Sequence, residues 1–233
     1  MGYHPPVLDV IYFPTTVVII IINCYICYYL NHNNVPVETV AMSPNTFLDR
    51  REYWRALTAA FSHYSLLHLI FNISSSWALR TLETMTGFIT YLRLITILII
   101  VPPIIDSLIR KRFWPDRNVL AVGYSCVLCG LSAYATLLTS YIDIFGYQIP
   151  MSLMPFFNVL ITQLLIPQAS LIGHLSGVFA GFAIRWHLFD WFTNQVFLYS
   201  LPWIIFLFFF SYVRCHSDDI RWFQYSTDRR NRP

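Results

Sequence analysis

The chain has 233 residues, of which 56% are hydrophobic, 18% aromatic and only 12% charged. Soluble domains carry about 25% charged residues, so this is the composition of a polytopic membrane protein, with no room between its apolar runs for a soluble domain. The formal charge of +3 is small and scattered, and gives no ground for nucleic acid as a partner.

A membrane-spanning helix needs about 20 mostly apolar residues, and seven segments are expected to supply one each. The first runs from Pro14 to Leu30. No charged run precedes it and no small-residue cleavage site follows, so it reads as a retained span, not a removed signal peptide. The stretch NHNNVPVETVAMSPNTFLDRREYW then reads as a long loop with amphipathic and turn-prone pieces. A second span is expected over Ala56–Leu82, unusual in holding His63, His68, Asn72 and three consecutive serines. The third covers Phe88–Ile109, with Arg93 near its start and Pro102-Pro103 near its end. After the basic loop RKRFWPDRN, the fourth covers Val119–Leu138 and carries AVGYSCVLCG, with Ser125 about two turns into the helix. The fifth, Pro150–Ile166, is short; the sixth, Ser170–Leu188, contains His174. A seventh, aromatic-rich segment within 190–213 precedes a polar tail at 214–233. Backbone in lipid must satisfy its own hydrogen bonds, so all seven are expected to be helices. The expected fold is an all-α polytopic bundle: a six-helix membrane core over 1–189 plus one additional C-terminal transmembrane helix.

Seven spans would put the 31–55 loop, the 106–118 loop and the tail on one side. That side holds Arg50, Arg51, Arg55, Arg110, Lys111, Arg112, Arg117 and the five tail arginines, against Arg80, Arg93 and Arg185 on the other. By the positive-inside rule the basic side is cytoplasmic. Cys24/Cys27 and Cys126/Cys129 form two C-x-x-C pairs, which would suggest zinc or redox chemistry in a soluble protein. Here they lie in apolar segments, where i and i+3 share a helix face and cysteine acts as a small hydrophobe. No metal and no cofactor is expected.

Ionisable and polar groups inside a membrane are costly, and each is a candidate functional group. His68 and Asn72, at i and i+4, share one helix face, with His63 near the same end. Ser125 and His174 lie near the starts of two helices that begin on the same side, so they can share one depth, as proton transfer between them requires. Gly173, Gly177 and Gly181, at strict four-residue spacing, form a ridge that admits another helix backbone to backbone, and Cys126 with Gly130 offers a smaller counterpart. On the residues alone Ser125 remains either a nucleophile or a small packing residue, Asn72 either a polar catalytic group or interhelical glue, and His63 more structural than catalytic.

The stretches WRALTAAFSHYSLLHLIFN, LETMTG, GYS and GHLSGVFAG, in that order over Trp54–Ala183, resemble the rhomboid family of intramembrane serine proteases. VGYSCVLCG and PQASLIGHLSG together are similar to a group of plant rhomboid-like proteins. The resemblance implies Ser125 as nucleophile, His174 as general base in a dyad without a third carboxylate, and His68 and Asn72 as oxyanion-stabilising side chains beside the Ser125 N–H. It implies a structural role for Trp54-Arg55 in the first loop and for Glu83 and Gly87 at the end of the second span, while Gly123, His63, Gly177 and Gly181 are read from their own positions as supporting residues. The implied partners are transmembrane protein substrates within a lipid bilayer, in an endomembrane (Golgi or ER) or the plasma membrane, and the site of this family usually opens away from the cytoplasm. Two positions depart from the family pattern: Cys126 stands where a second glycine is usual, and Cys129 where a tyrosine often stacks on the base histidine. These departures keep open a second reading, a catalytically inactive relative that binds or escorts client helices. A proton-relay transporter would need a pair of broken helices, which the sequence does not suggest.

Overall fold

The computed structural model describes residues 10–115, 118–136, 140–144, 147–166 and 169–216. His4, Arg117, Leu138 and the tail beyond His216, with Arg221, Arg229, Arg230 and Arg232, lie outside the described residues.

The first helix, α1 (Pro14–His32), opens with proline at its first position, where no N–H is needed. The next two N–H groups would be orphaned in hydrocarbon, and Glu83 accepts them both. Its carboxylate receives Thr15 N–H at 2.7 Å, Thr16 N–H at 2.9 Å and the Thr16 hydroxyl at 2.9 Å. A buried anion against a helix N-terminus is also favoured by the helix dipole. Glu83 thus caps the first span from the end of the second.

The expected second span is broken. A short helix α2 (Arg55–Phe61) is followed by α3 (Leu66–Ala78) and α4 (Thr81–Thr86), with a bend of 95° at the break. Ser65 is extended and its hydroxyl accepts the His68 N–H, so α3 starts afresh there. Gly87, at φ +82°, then turns the chain from α4 into α5 (Phe88–Phe113). The third span therefore runs four residues beyond Ile109, where Arg110, Lys111 and Arg112 fill its last turn.

The fourth span is corrected more strongly. Residues 118–122 are not helical, and Ala121 pairs with Met42 in an isolated antiparallel bridge. Helix α6 (Ser125–Ala135) begins at Ser125 itself. With 11 residues it is about 16 Å long, roughly half the hydrocarbon thickness of a bilayer. Apolar composition alone made the preceding extended segment look like part of the helix. Beyond α6 an antiparallel hairpin, β1 (Tyr141–Ile144) with β2 (Tyr147–Pro150), occupies a connection for which no strand was expected. The fifth span is reduced to α7 (Met154–Leu165), the sixth is α8 (Leu171–Arg185) and the seventh α9 (Asn194–Cys215).

Among the described residues α1, α5 and α9 are long and apolar enough to cross a bilayer, as is the bent pair formed by α2 with α3 and α4 if it counts as one span. The chain is a multi-pass, all-α membrane protein in which the short α6 and α8 pack on each other and on α5. Leu94 and Leu98 of α5, Val127 and Leu131 of α6 and Val178 and Ala180 of α8 are all buried. Helix α9 lies outside this core, joined to it at one end by Asn194 to Thr90 (3.0 Å) and by Arg93 to the Phe192 carbonyl (2.9 Å). At its other end Ser211 accepts Tyr53 N–H at 2.9 Å and donates to the Arg51 carbonyl at 2.8 Å. Arg214 donates to the Arg50 and Arg51 carbonyls, and Lys111 pairs with Asp49. The basic residues of the first loop, of the end of α5 and of the end of α9 thus gather at the end of the bundle where α6 and α8 begin.

Replacing Glu83 with alanine strands two buried N–H groups, each unmade bond costing about 1–3 kcal/mol. Thermal unfolding in detergent micelles should therefore fall clearly below wild type, and an unchanged midpoint would contradict this cap.

Candidate active site

Ser125 is the first residue of α6, and three contacts fix the chain leading into it. Met42 and Ala121 exchange both backbone bonds (3.1 and 2.8 Å), and Gly123 N–H donates to the Ala59 carbonyl at 2.8 Å. Tyr124, fully buried, packs on Phe61 with ring centroids 5.4 Å apart. The segment is therefore clamped between the first loop and α2, and Ser125 enters the helix with little freedom.

His174 sits in the first turn of α8. Ser170 caps that turn: its hydroxyl accepts Gly173 N–H at 3.0 Å and its carbonyl accepts His174 N–H at 2.9 Å. The glycine ridge then sets how closely α8 meets α6. A Cβ on Gly177 would lie 2.1 Å from the Cys126 carbonyl oxygen, and one on Gly181 2.1 Å from that of Gly130. Only glycine allows backbones this close. The result is a hydrogen bond of 2.8 Å between His174 Nε2 and Ser125 Oγ, at the range proton transfer requires. His174 is 2% exposed, and its Nδ1 has no hydrogen-bond partner among the described residues.

Cys126 fits the same contact. Its Sγ lies 3.2 Å from where a Cβ on Gly173 would stand, so it occupies the space that this glycine leaves. The usual small residue of α6 is thus exchanged for a larger one that α8 accommodates. Cys129 faces elsewhere, against the cluster of Ala133, Val159, Val178 and Phe182.

Ser125, His174 and His68 line one cavity of about 440 Å³, together with Gly123, Ala56, Ala59 and Met42. Gly123 has φ +116°, and a Cβ there would lie 2.4 Å from His68 Cε1. The His68 ring is thereby pressed against the turn just before Ser125. On its other side the His63 ring packs edge-on at 5.0 Å. Asn72 is not among the cavity-lining residues. Its Nδ2 lies 2.9 Å from His63 Nε2 and donates to the His68 carbonyl at 3.0 Å. In this arrangement Asn72 is turned toward His63, which packs against His68. Trp54 and Arg55 also stay outside the cavity. Arg55 is buried, pairs with Glu52 and donates to the Glu38 and Ala41 carbonyls, while Trp54 packs on Tyr212 of α9. They anchor the loop that carries Met42.

The sequence reading did not find the clamps at Met42 and Ala59, because they use backbone groups that carry no residue-type signal. The Ser170 cap was legible in principle, as a serine immediately before an apolar helical run.

Residues 50–191 match the family model described as Rhomboid domain. Over 163 residues the chain is 28% identical to Rhomboid-like protein 15 of Arabidopsis thaliana, covering 65% of this chain and 40% of that protein. It is 27% identical to Rhomboid-like protein 14, mitochondrial, of the same plant, covering 62% and 46%. It is 30% identical to Rhomboid-type serine protease 2 of Neurospora crassa, covering 55% and 49%. The chain thus spans less than half the length of each of these three relatives.

Gly123→Ala combines a positive φ with a clash against His68, and backbone strain of this kind costs about 1–3 kcal/mol. Thermal unfolding should show that loss, and adding His68→Gly should recover part of it; no recovery would mean that the two residues do not bear on each other.

Proposed function

The chain belongs to the rhomboid family, and we propose that it is an intramembrane serine protease that cleaves transmembrane segments of other membrane proteins with a Ser125–His174 dyad. The observation that carries this reading is the 2.8 Å hydrogen bond between His174 Nε2 and Ser125 Oγ at the wall of the cavity. With the imidazole proton on Nδ1, Nε2 accepts the hydroxyl proton as Ser125 Oγ attacks a peptide carbonyl. The same nitrogen then returns the proton to the departing amine, leaving an acyl-enzyme for water to hydrolyse. The negative charge of the tetrahedral intermediate falls at the start of α6, beside the Ser125 N–H, where the helix dipole is positive. The His68 ring, held between His63 and Gly123, supplies the side-chain donor.

Substrate and water must both reach Ser125. The cavity that Ser125 and His174 line lies at the start of α6 and α8, and it is the route for water. A client helix would enter from the bilayer and unwind locally, exposing one peptide bond. The alternative, an inactive relative that binds client helices, was motivated by Cys126 and Cys129. The fit of Cys126 against Gly173 weakens that motive, since the Ser125–His174 contact is made with the cysteine in place.

With a single-span model substrate in proteoliposomes, Ser125→Ala should abolish cleavage. His174→Ala should reduce it by about 10²–10⁴-fold, the range that a general base contributes, and His68→Ala by about 10²–10³-fold, as for a lost oxyanion donor. Cleavage that survives Ser125→Ala would overturn the dyad, and a wild-type chain that binds the substrate without cutting it would replace this reading with the inactive, client-binding one.

A further inference from the structure

Asp106 and Arg110 stand one turn apart near the end of α5, and neither takes part in the chemistry above. Their side chains are 5% and 11% exposed, and Arg110 Nε donates to both carboxylate oxygens at 2.9 and 3.0 Å. Burying an ion pair in a membrane helix is costly and is often no gain over apolar packing. Its presence therefore calls for a use beyond stability.

The guanidinium continues past the carboxylate. Arg110 Nη2 donates to Ser170 Oγ at 2.6 Å, across to a different helix. That oxygen is the cap of α8: it accepts Gly173 N–H, while the Ser170 carbonyl accepts the N–H of His174. Ser170 also lines the same cavity as Ser125 and His174. An unbroken path of hydrogen bonds thus runs from Asp106 through Arg110 and Ser170 to the turn that carries His174. Arginine suits this place because its planar fork serves two partners from different nitrogens at once, which a lysine ammonium on a flexible stem cannot do in the same geometry.

We propose that Asp106 and Arg110 form a positioning pair that acts through Ser170 to lock the first turn of α8, holding His174 Nε2 against Ser125 Oγ. This rests on the dyad reading above. Asp106 fixes the direction of the guanidinium, the guanidinium fixes the Ser170 hydroxyl, and the hydroxyl fixes the Gly173–His174 peptide. The glycine ridge fixes how close α8 lies to α6 farther along. The cap fixes its first turn, where glycine at 173 leaves the backbone freest.

The test uses the full chain in nanodiscs. Arg110→Gln and Ser170→Ala should each lower kcat on the single-span substrate by about 10–100-fold with KM nearly unchanged, as expected when a reacting group is misplaced by about 1 Å. Arg110→Gln in the Ser170→Ala background should lower kcat no further, and threonine at 170 should restore most of what alanine loses. Additive losses, or Ser170→Thr as slow as Ser170→Ala, would overturn the proposal. Hydrogen exchange gives a readout that needs no activity. The amides of 171–176 should exchange faster in Arg110→Gln and Asp106→Asn, with α5 and α9 protected as in wild type. Unchanged exchange in 171–176, or loss of protection throughout the bundle, would also overturn it. If wild type cleaves nothing while exchange changes as expected, the protease reading fails and the locking of the turn stands.

Discussion

Two helix backbones touching is the constraint on which the rest depends. Where Gly177 and Gly181 of α8 meet the carbonyls of Cys126 and Gly130, no side chain intervenes. That contact determines the distance between the first turns of α6 and α8, and so the distance between Ser125 and His174. In hydrocarbon there is little hydrophobic force to press helices together, and close packing of small residues is what remains. The chemistry and the packing therefore use one seam. Leu98 of α5 covers its outer side, its Cδ2 lying 2.3 Å from where a Cβ on Gly130 would stand.

Around this seam a few polar contacts hold the helix ends and the loops in place. Glu83 caps α1, Ser170 caps α8, and Met42 and Ala59 clamp the strand that leads into Ser125. Helix α9 contributes from a distance. Ser211, Tyr212 and Arg214 grip the first loop at Arg50–Trp54, and the same loop presents Met42 to Ala121. Loss of α9 would loosen the loop before it touched the dyad. The basic residues of that loop and of the ends of α5 and α9 collect beside the site.

The sequence carried the site better than it carried the boundaries. Ser125, His174 and the glycines were legible because an ionisable or small residue is conspicuous against an apolar background, and the spacing of the glycines names a helix face. The start of α6 was not legible, since Val119, Leu120, Ala121 and Val122 are as apolar as a helix and only the pairing of Ala121 with Met42 makes them extended. The break at 62–65 was hidden for the same reason: hydropathy averages over it. Asn72 shares a helix with His68 but lies against His63, and a contact across the helix break cannot be read from helical periodicity. Asp106 and Arg110 drew no reading from the sequence, since the link from Arg110 to Ser170 that gives them a place joins elements 60 residues apart.

The central claim is that Ser125 is a nucleophile activated by His174, and covalent trapping tests it most directly. After treatment of the purified protein with a fluorophosphonate, peptide mass spectrometry should find one stoichiometric adduct, on Ser125, that forms at a negligible rate once His174 is replaced by alanine. An unmodified Ser125, or an adduct that forms equally fast without His174, would contradict it.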